Sequence, residues 1–107
     1  MDRVVAAYRE AVERGVTAPL ISMLHPDVVL TTSSVGRLAG VADVSRWFES
    51  RVRDPRIATS VGDSYIDGDV IVITITCSHL ADGDEDEYAV AFFLGRDGRI
   101  TSIIVDV

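Results

Sequence analysis

The segment Val70–Leu80 alternates with a period of two. Ile71, Ile73, Ile75, Cys77 and His79 fall on one side, and Val72, Thr74, Thr76 and Ser78 on the other. Successive side chains of a β-strand point to opposite faces. The pattern therefore predicts a strand with an isoleucine face turned to the core and a threonine face turned to water or to a second subunit. A sheet with one apolar face needs cover, and the first half of the chain supplies it. Val4, Val5, Tyr8, Ala11 and Val12 recur at spacings of three and four, which predicts an amphipathic helix capped by Asp2 and stopped by Gly15. Thr17 can cap a short second helix, with Pro19 in its first turn and Leu20, Ile21 and Leu24 as its apolar set. His25-Pro26 is expected to end it, with His25 as a C-terminal cap.

A strand is expected over Val28–Thr32, then a short extended piece bracketed by Gly36 and Gly40. A third helix, from about Val41 to Val52, gathers Val41, Val44, Trp47, Phe48 and Val52 on one broad face and stops at Asp54-Pro55. Four strands should follow, over Ile57–Ile66, Val70–Leu80, Glu87–Leu94 and Arg99–Val107. Asp67-Gly68 is a hairpin signal, and Gly95-Arg96-Asp97-Gly98 joins the last two strands. The final strand is apolar on both faces, Ile100 and Ile104 on one and Ile103, Val105 and Val107 on the other. Three helices on one side cannot cover both. The outer face, with Val72, Thr74, Thr76, Ile100 and Ile104, is therefore expected to pair with a second copy as a homodimer. This order of elements is α+β, and 107 residues suit one domain over 1–107.

Seventeen acids against ten bases leave a net charge of −7, which argues against nucleic acid and anionic membrane surfaces as partners. No apolar run has transmembrane length, and MDRVVAAYRE holds no signal-peptide core. A single cysteine, Cys77, allows no internal disulfide, so a reducing cytoplasm is the expected compartment and Cys77 reads as a small core residue. Every basic residue is Arg, so Schiff-base chemistry from lysine is excluded. The acidic run Asp82–Glu87 begins like a calcium loop but places Glu87 where glycine is needed and Phe93 where a glutamate is needed. It reads as a solvated hairpin tip. No zinc spacing, phosphate loop or dinucleotide fingerprint is present, so no metal or cofactor is expected.

Four segments carry a resemblance: VVAAYREAVERG, LISMLHPDVVLTT, GRLAGVADVSRWFESRV and, most specific, VAFFLGRDGRITSI. In this order the chain resembles the nuclear-transport-factor-like superfamily, in its SnoaL-like polyketide cyclase and ketosteroid isomerase branches. The resemblance implies a strongly curved antiparallel sheet wrapped around the first helix, a cone with an apolar pocket, and frequent homodimers. It does not fix a reaction, because one fold hosts many chemistries.

Residue by residue, Tyr8 matches the position where the isomerases place a tyrosine that donates to the substrate carbonyl. A core aromatic is the plainer reading of the same residue. The isomerase base at the end of the first strand corresponds to Thr32, which cannot take a proton at neutral pH, and the second, protonated acid corresponds to Val90. The pocket Asp of the cyclases has no counterpart among the residues expected to face in, which are Tyr88, Val90, Phe92, Ile103 and Val105. The Asp-Arg-Asp set of the epoxide hydrolases is also missing. His79, on the isoleucine face, is the remaining candidate base, with a solvated strand-end histidine as the alternative. Trp47 and Phe48 are expected in the core or the pocket wall. The expected function is binding of a hydrophobic small molecule in an apolar pocket, isomerase- or cyclase-like, with Tyr8 and His79 as catalytic candidates. Thr32, Trp47, Phe48, Tyr88, Val90, Phe92 and Ile103 would line the pocket. The alternative is a non-catalytic binding or dimerisation module.

Overall fold

The structure, a computed structural model, describes residues 2–33, 36–52 and 57–106. Its elements run α1 (Asp2–Arg14), α2 (Ala18–Ile21), β1 (Leu24–Thr32), β2 (Gly36–Ala39), α3 (Val41–Val52), β3 (Ile57–Asp67), β4 (Val70–His79), β5 (Glu85–Leu94) and β6 (Ile100–Asp106). The expected caps and stops at the Asp2 side chain, Asp54-Pro55 and Val107 lie outside the described residues. The strands form one curved, open sheet in the order β2-β1-β6-β5-β4-β3. Four of the five pairings are antiparallel, but β1 and β6 run parallel, so the sheet is mixed rather than wholly antiparallel.

The period-two pattern of β4 sorts its side chains as expected. Ile71, Ile73, Ile75 and Cys77 are buried, and Val72, Thr74, Thr76 and Ser78 are half-buried on the other face. Against the isoleucine face, α1 buries Val4, Ala7, Tyr8 and Ala11, three and four residues apart. Helix α1 ends where Gly15 takes φ +72° and donates its N–H to Ala11 O at 3.0 Å, a left-handed cap that suits glycine. Helix α3 turns Val44 and Phe48 onto β1 and the same core.

Several local expectations are corrected. Helix α2 ends at Ile21, and Leu24 already pairs with Ile100 as the start of β1. His25 is thus a strand residue whose Nδ1 accepts the Asp27 N–H at 3.0 Å, not a helix cap. Thr17 holds the N-cap position but makes no side-chain cap bond. The β3–β4 hairpin closes with Asp67 opposite Val70, so its loop is Gly68-Asp69, with Gly68 at φ +60°.

The largest correction concerns Ile100. It is fully buried, not on the outer face. Phe93 pairs with Ser102 and Leu94 with Ile100, so Thr101 is an extra residue in β6. This bulge turns Ile100 inward beside Ile103 and Val105, and the Thr101 hydroxyl donates to the Phe93 carbonyl at 3.1 Å. Among the described residues no helix is long and apolar enough to cross a membrane.

Ile73 sits in the middle of this core with no exposed surface. Ile73→Ala should lower the unfolding free energy by about 2–5 kcal/mol, seen as a drop in the urea midpoint at unchanged slope. An unshifted midpoint would contradict the packing described here.

Candidate functional site

Aromatic rings fill the space between α1, α3 and the sheet. Tyr8, 4% exposed, stands edge-on to Phe92, with ring centres 5.4 Å apart, and to Phe48 at 6.2 Å. Trp47 meets Phe48 edge-on at 5.1 Å. One helical turn after Trp47, Arg51 lays its guanidinium over the indole, 5.0 Å from the ring centre, and 5.9 Å from the ring of Tyr88. Such cation–ring stacking offsets part of the cost of burying the charge.

A polar chain runs through this cluster. Arg51 Nη2 donates to the Tyr88 hydroxyl at 3.3 Å, and the Cys77 thiol donates to the same oxygen at 3.3 Å. The Thr59 hydroxyl lies 3.7 Å from Cys77 Sγ. Strand register explains the meeting: Thr59 pairs with Cys77, and Tyr88 with Ile75, so all three side chains share the inward face. Tyr8, Val12, Trp47, Phe48, Arg51, Val52, Thr59 and Tyr88 line a cleft of about 20 Å³, room for about one water. A larger groove of about 390 Å³ lies at the start of α1, but its polar residues, Arg3, Ser22, Asp97 and Arg99, are all exposed.

Burial governs the electrostatics. It holds the Tyr8 phenol well above the ordinary tyrosine value, and Tyr88 adds to the effect while Arg51 opposes it. Burial and the Cys77 bond push Tyr88 up to about 12 against the pull of Arg51. At Arg51 burial works against the charge, yet the bond to Tyr88 and the electrostatics of Tyr88, Cys77 and Tyr8 hold its pKa above the usual arginine value. At neutral pH the site is therefore two neutral phenols beside one fixed positive charge. Among the described residues no carboxylate lines the cleft.

The expected site residues separate into two groups. Trp47, Phe48 and Tyr88 line the cleft together with Tyr8. Thr32, Val90, Phe92 and Ile103 are buried elsewhere in the core, Thr32 at the end of β1 opposite Val105. His79 does not line the cleft; its Nε2 pairs with Asp86 Oδ2 at 3.2 Å, and its side chain is 41% exposed. Cys77 is a buried residue, as expected, and its thiol meets Tyr88. The acidic tip is exposed, and Asp82 Oδ1 accepts the Asp84 N–H at 3.1 Å. Arg51 and Thr59 are the additions that the sequence reading passed over. Arg51 had a signal: it follows Val44 by seven residues and Trp47 by four, a charge set into the apolar stripe of α3.

A pH dependence follows. The phenols of Tyr8 and Tyr88 have folded-state values above the unfolded tyrosine value of about 10. Protonated phenols are thus favoured in the fold. The stability they contribute is complete below about pH 10 and is lost as pH climbs through the folded-state values. The urea midpoint should fall steeply between about pH 10 and 12 and less steeply in Tyr8→Phe; equal slopes in both proteins would refute the assignment.

With this geometry established, comparison with known proteins gives its family. The chain matches the SnoaL-like domain over residues 5–103. No curated protein matches it. Among solved structures it is similar to a candidate polyketide cyclase from Sinorhizobium meliloti, 24% identical, with 95% of this chain and 92% of that chain covered and a TM-score of 0.78. An NTF2-like protein of unknown function from Mesorhizobium loti is 16% identical over 97% and 87% of the chains, with a TM-score of 0.86. A de novo designed protein with a curved β-sheet is 20% identical over 97% and 81%, with a TM-score of 0.78. These likenesses share the fold, and the match across residues 5–103 identifies the chain as a member of the SnoaL-like domain family.

Proposed function

We propose that this chain binds a small apolar molecule at the cleft of Tyr8, Trp47, Phe48 and Tyr88, without the proton transfer of the isomerase branch. One observation carries this reading: the polar groups at the cleft include hydrogen-bond donors and no carboxylate among the described residues. Moving a proton between carbons needs a base at the acidic carbon and a donor at the oxygen. Tyr8 supplies a donor. Thr32 and Val90 stand where the resemblance places the two acids, and His79 is engaged by Asp86 away from the cleft. Absence of a general base alone costs a factor of about 10²–10⁴ in rate.

Trp47 is the chain's one tryptophan, so its fluorescence reports on the cleft directly. Titration with small hydrophobic molecules should shift Trp47 emission, while a small unsaturated ketone should show no steady isomerisation. Steady turnover by the unmodified protein would overturn this reading and make His79 the next base to replace. Unchanged emission across such molecules would remove the ligand-binding reading itself.

We also propose a homodimer through the outer sheet face. The register sets Thr31, Ile104, Ala91, Val72 and Tyr65 side by side across five strands. Ile104 is 42% and Tyr65 63% exposed, so this row is an uncovered apolar band. Ile104→Arg should drive the protein toward monomer, because burying an unpaired charge costs about 3–5 kcal/mol. Light scattering that finds the unmodified protein monomeric at micromolar concentration would defeat this assignment.

A further inference from the structure

We propose that the cleft receives the carboxylate head of a small apolar acid, seated on Arg51 and on the hydroxyls of Tyr8 and Tyr88. The inference rests on the ligand-binding reading above and adds the ligand's charge. Arg51 is the starting point. A buried charge is normally paired, since leaving it alone in an apolar setting is costly. Four of the exposed arginines are paired with carboxylates. Arg9 meets Glu13 at 3.9 Å, Arg14 meets Glu10 at 3.5 Å, Arg46 meets Asp43 at 3.6 Å and Arg99 meets Asp97 at 3.7 Å. Arg51, half-buried and five residues beyond Arg46, has a phenol oxygen and two ring faces as its partners, and no carboxylate among the described residues. Among the described residues this half-buried charge thus stands without a counter-carboxylate, in a chain of seventeen acids.

The neighbouring hydroxyls point to the same complement. The Tyr88 oxygen already accepts bonds from Arg51 and Cys77, which leaves its own proton to donate outward. Tyr8, a buried phenol, lines the same cleft and offers it a second hydroxyl donor. Guanidinium and phenols together are donors around a single positive charge. Their match is one electron-rich group of one negative charge. The planar guanidinium fork fits a carboxylate in two parallel bonds, and a doubly charged phosphate group would outweigh the one cation. Val12, Phe48 and Val52 offer the apolar remainder of the ligand its surface. The cleft now holds about 20 Å³, so the head group enters as the guanidinium lifts from the Trp47 ring.

Hexanoate and hexanamide test this, because they differ in charge and share their apolar tail. Binding is followed by calorimetry and by Trp47 fluorescence at low salt and in 0.5 M sodium chloride. Hexanoate should bind about tenfold tighter than hexanamide at low salt, and salt should narrow the ratio. Arg51→Met should abolish the preference, and Arg51→Lys, which keeps charge without the fork, should retain part of it. Should Arg51→Met fail to fold, the ratio in the unmodified protein and its salt dependence still decide. Equal affinities for the acid and the amide would overturn the assignment of charge while leaving apolar binding in place. Failure of both to bind would overturn the two readings together.

Discussion

The edge-on contact between Tyr8 of α1 and Phe92 of β5, 5.4 Å between ring centres, ties the first helix to the floor of the sheet. Phe92 is fully buried, and around it Ile71, Ile73, Ile103 and Val90 complete the inward face. With α1 fixed there, α3 lays Phe48 edge-on to the same Tyr8 ring. Trp47 and Arg51 follow from that placement, because a helix with Phe48 turned inward carries its neighbours to the same rim. The cleft is what remains where two helices and the sheet do not quite close.

That remainder is small, and its filling matters. Rings of Trp47, Phe48 and Phe92 occupy the interior where the resemblance implies a pocket. Close packing of this kind favours stability, while the polar groups it encloses work against it. A half-buried guanidinium with no carboxylate partner among the described residues is a cost that packing alone does not explain. Arg51 offsets some of its cost by stacking on Trp47 and by hydrogen bonding to Tyr88.

Much of this was legible in the residues. The bounds of α3 were readable from its apolar face, and the two faces of β4 from strict alternation, because both signals are local and strong. Ile100 was misplaced because alternation was extrapolated through Thr101; a bulge is set by the partner strand, not by the strand's own sequence. The parallel pairing of β1 with β6 joins residues some seventy positions apart, such as Leu30 and Ile103, and no local pattern encodes it. The start of β1 was hidden by Pro26, which suggests a break yet is tolerated where the register between Leu24 and Val29 is irregular. At the site, Tyr8, Trp47, Phe48 and Tyr88 were readable as aromatics on inward faces. Arg51 had only its place in the apolar stripe of α3 as a signal, because a cation on a helix is ordinarily solvated and the stack on Trp47 is three-dimensional.

The open sheet leaves β3 as an edge, eleven residues long, beside water. A long straight edge is a template on which other chains can add strands and aggregate. Strand β3 is broken near its middle: Gly62 and Asp63 together oppose Thr74, between the pairs Val61–Ile75 and Ser64–Ile73. The bulge twists the strand and leaves an acid on its rim, and a side chain at Gly62 would come within 3.3 Å of the Thr74 carbonyl. At the opposite side of the sheet, β2 is only four residues long. One edge is thus interrupted and the other abbreviated, so the same curvature that holds the cleft also denies the sheet a register along which fibrils could grow.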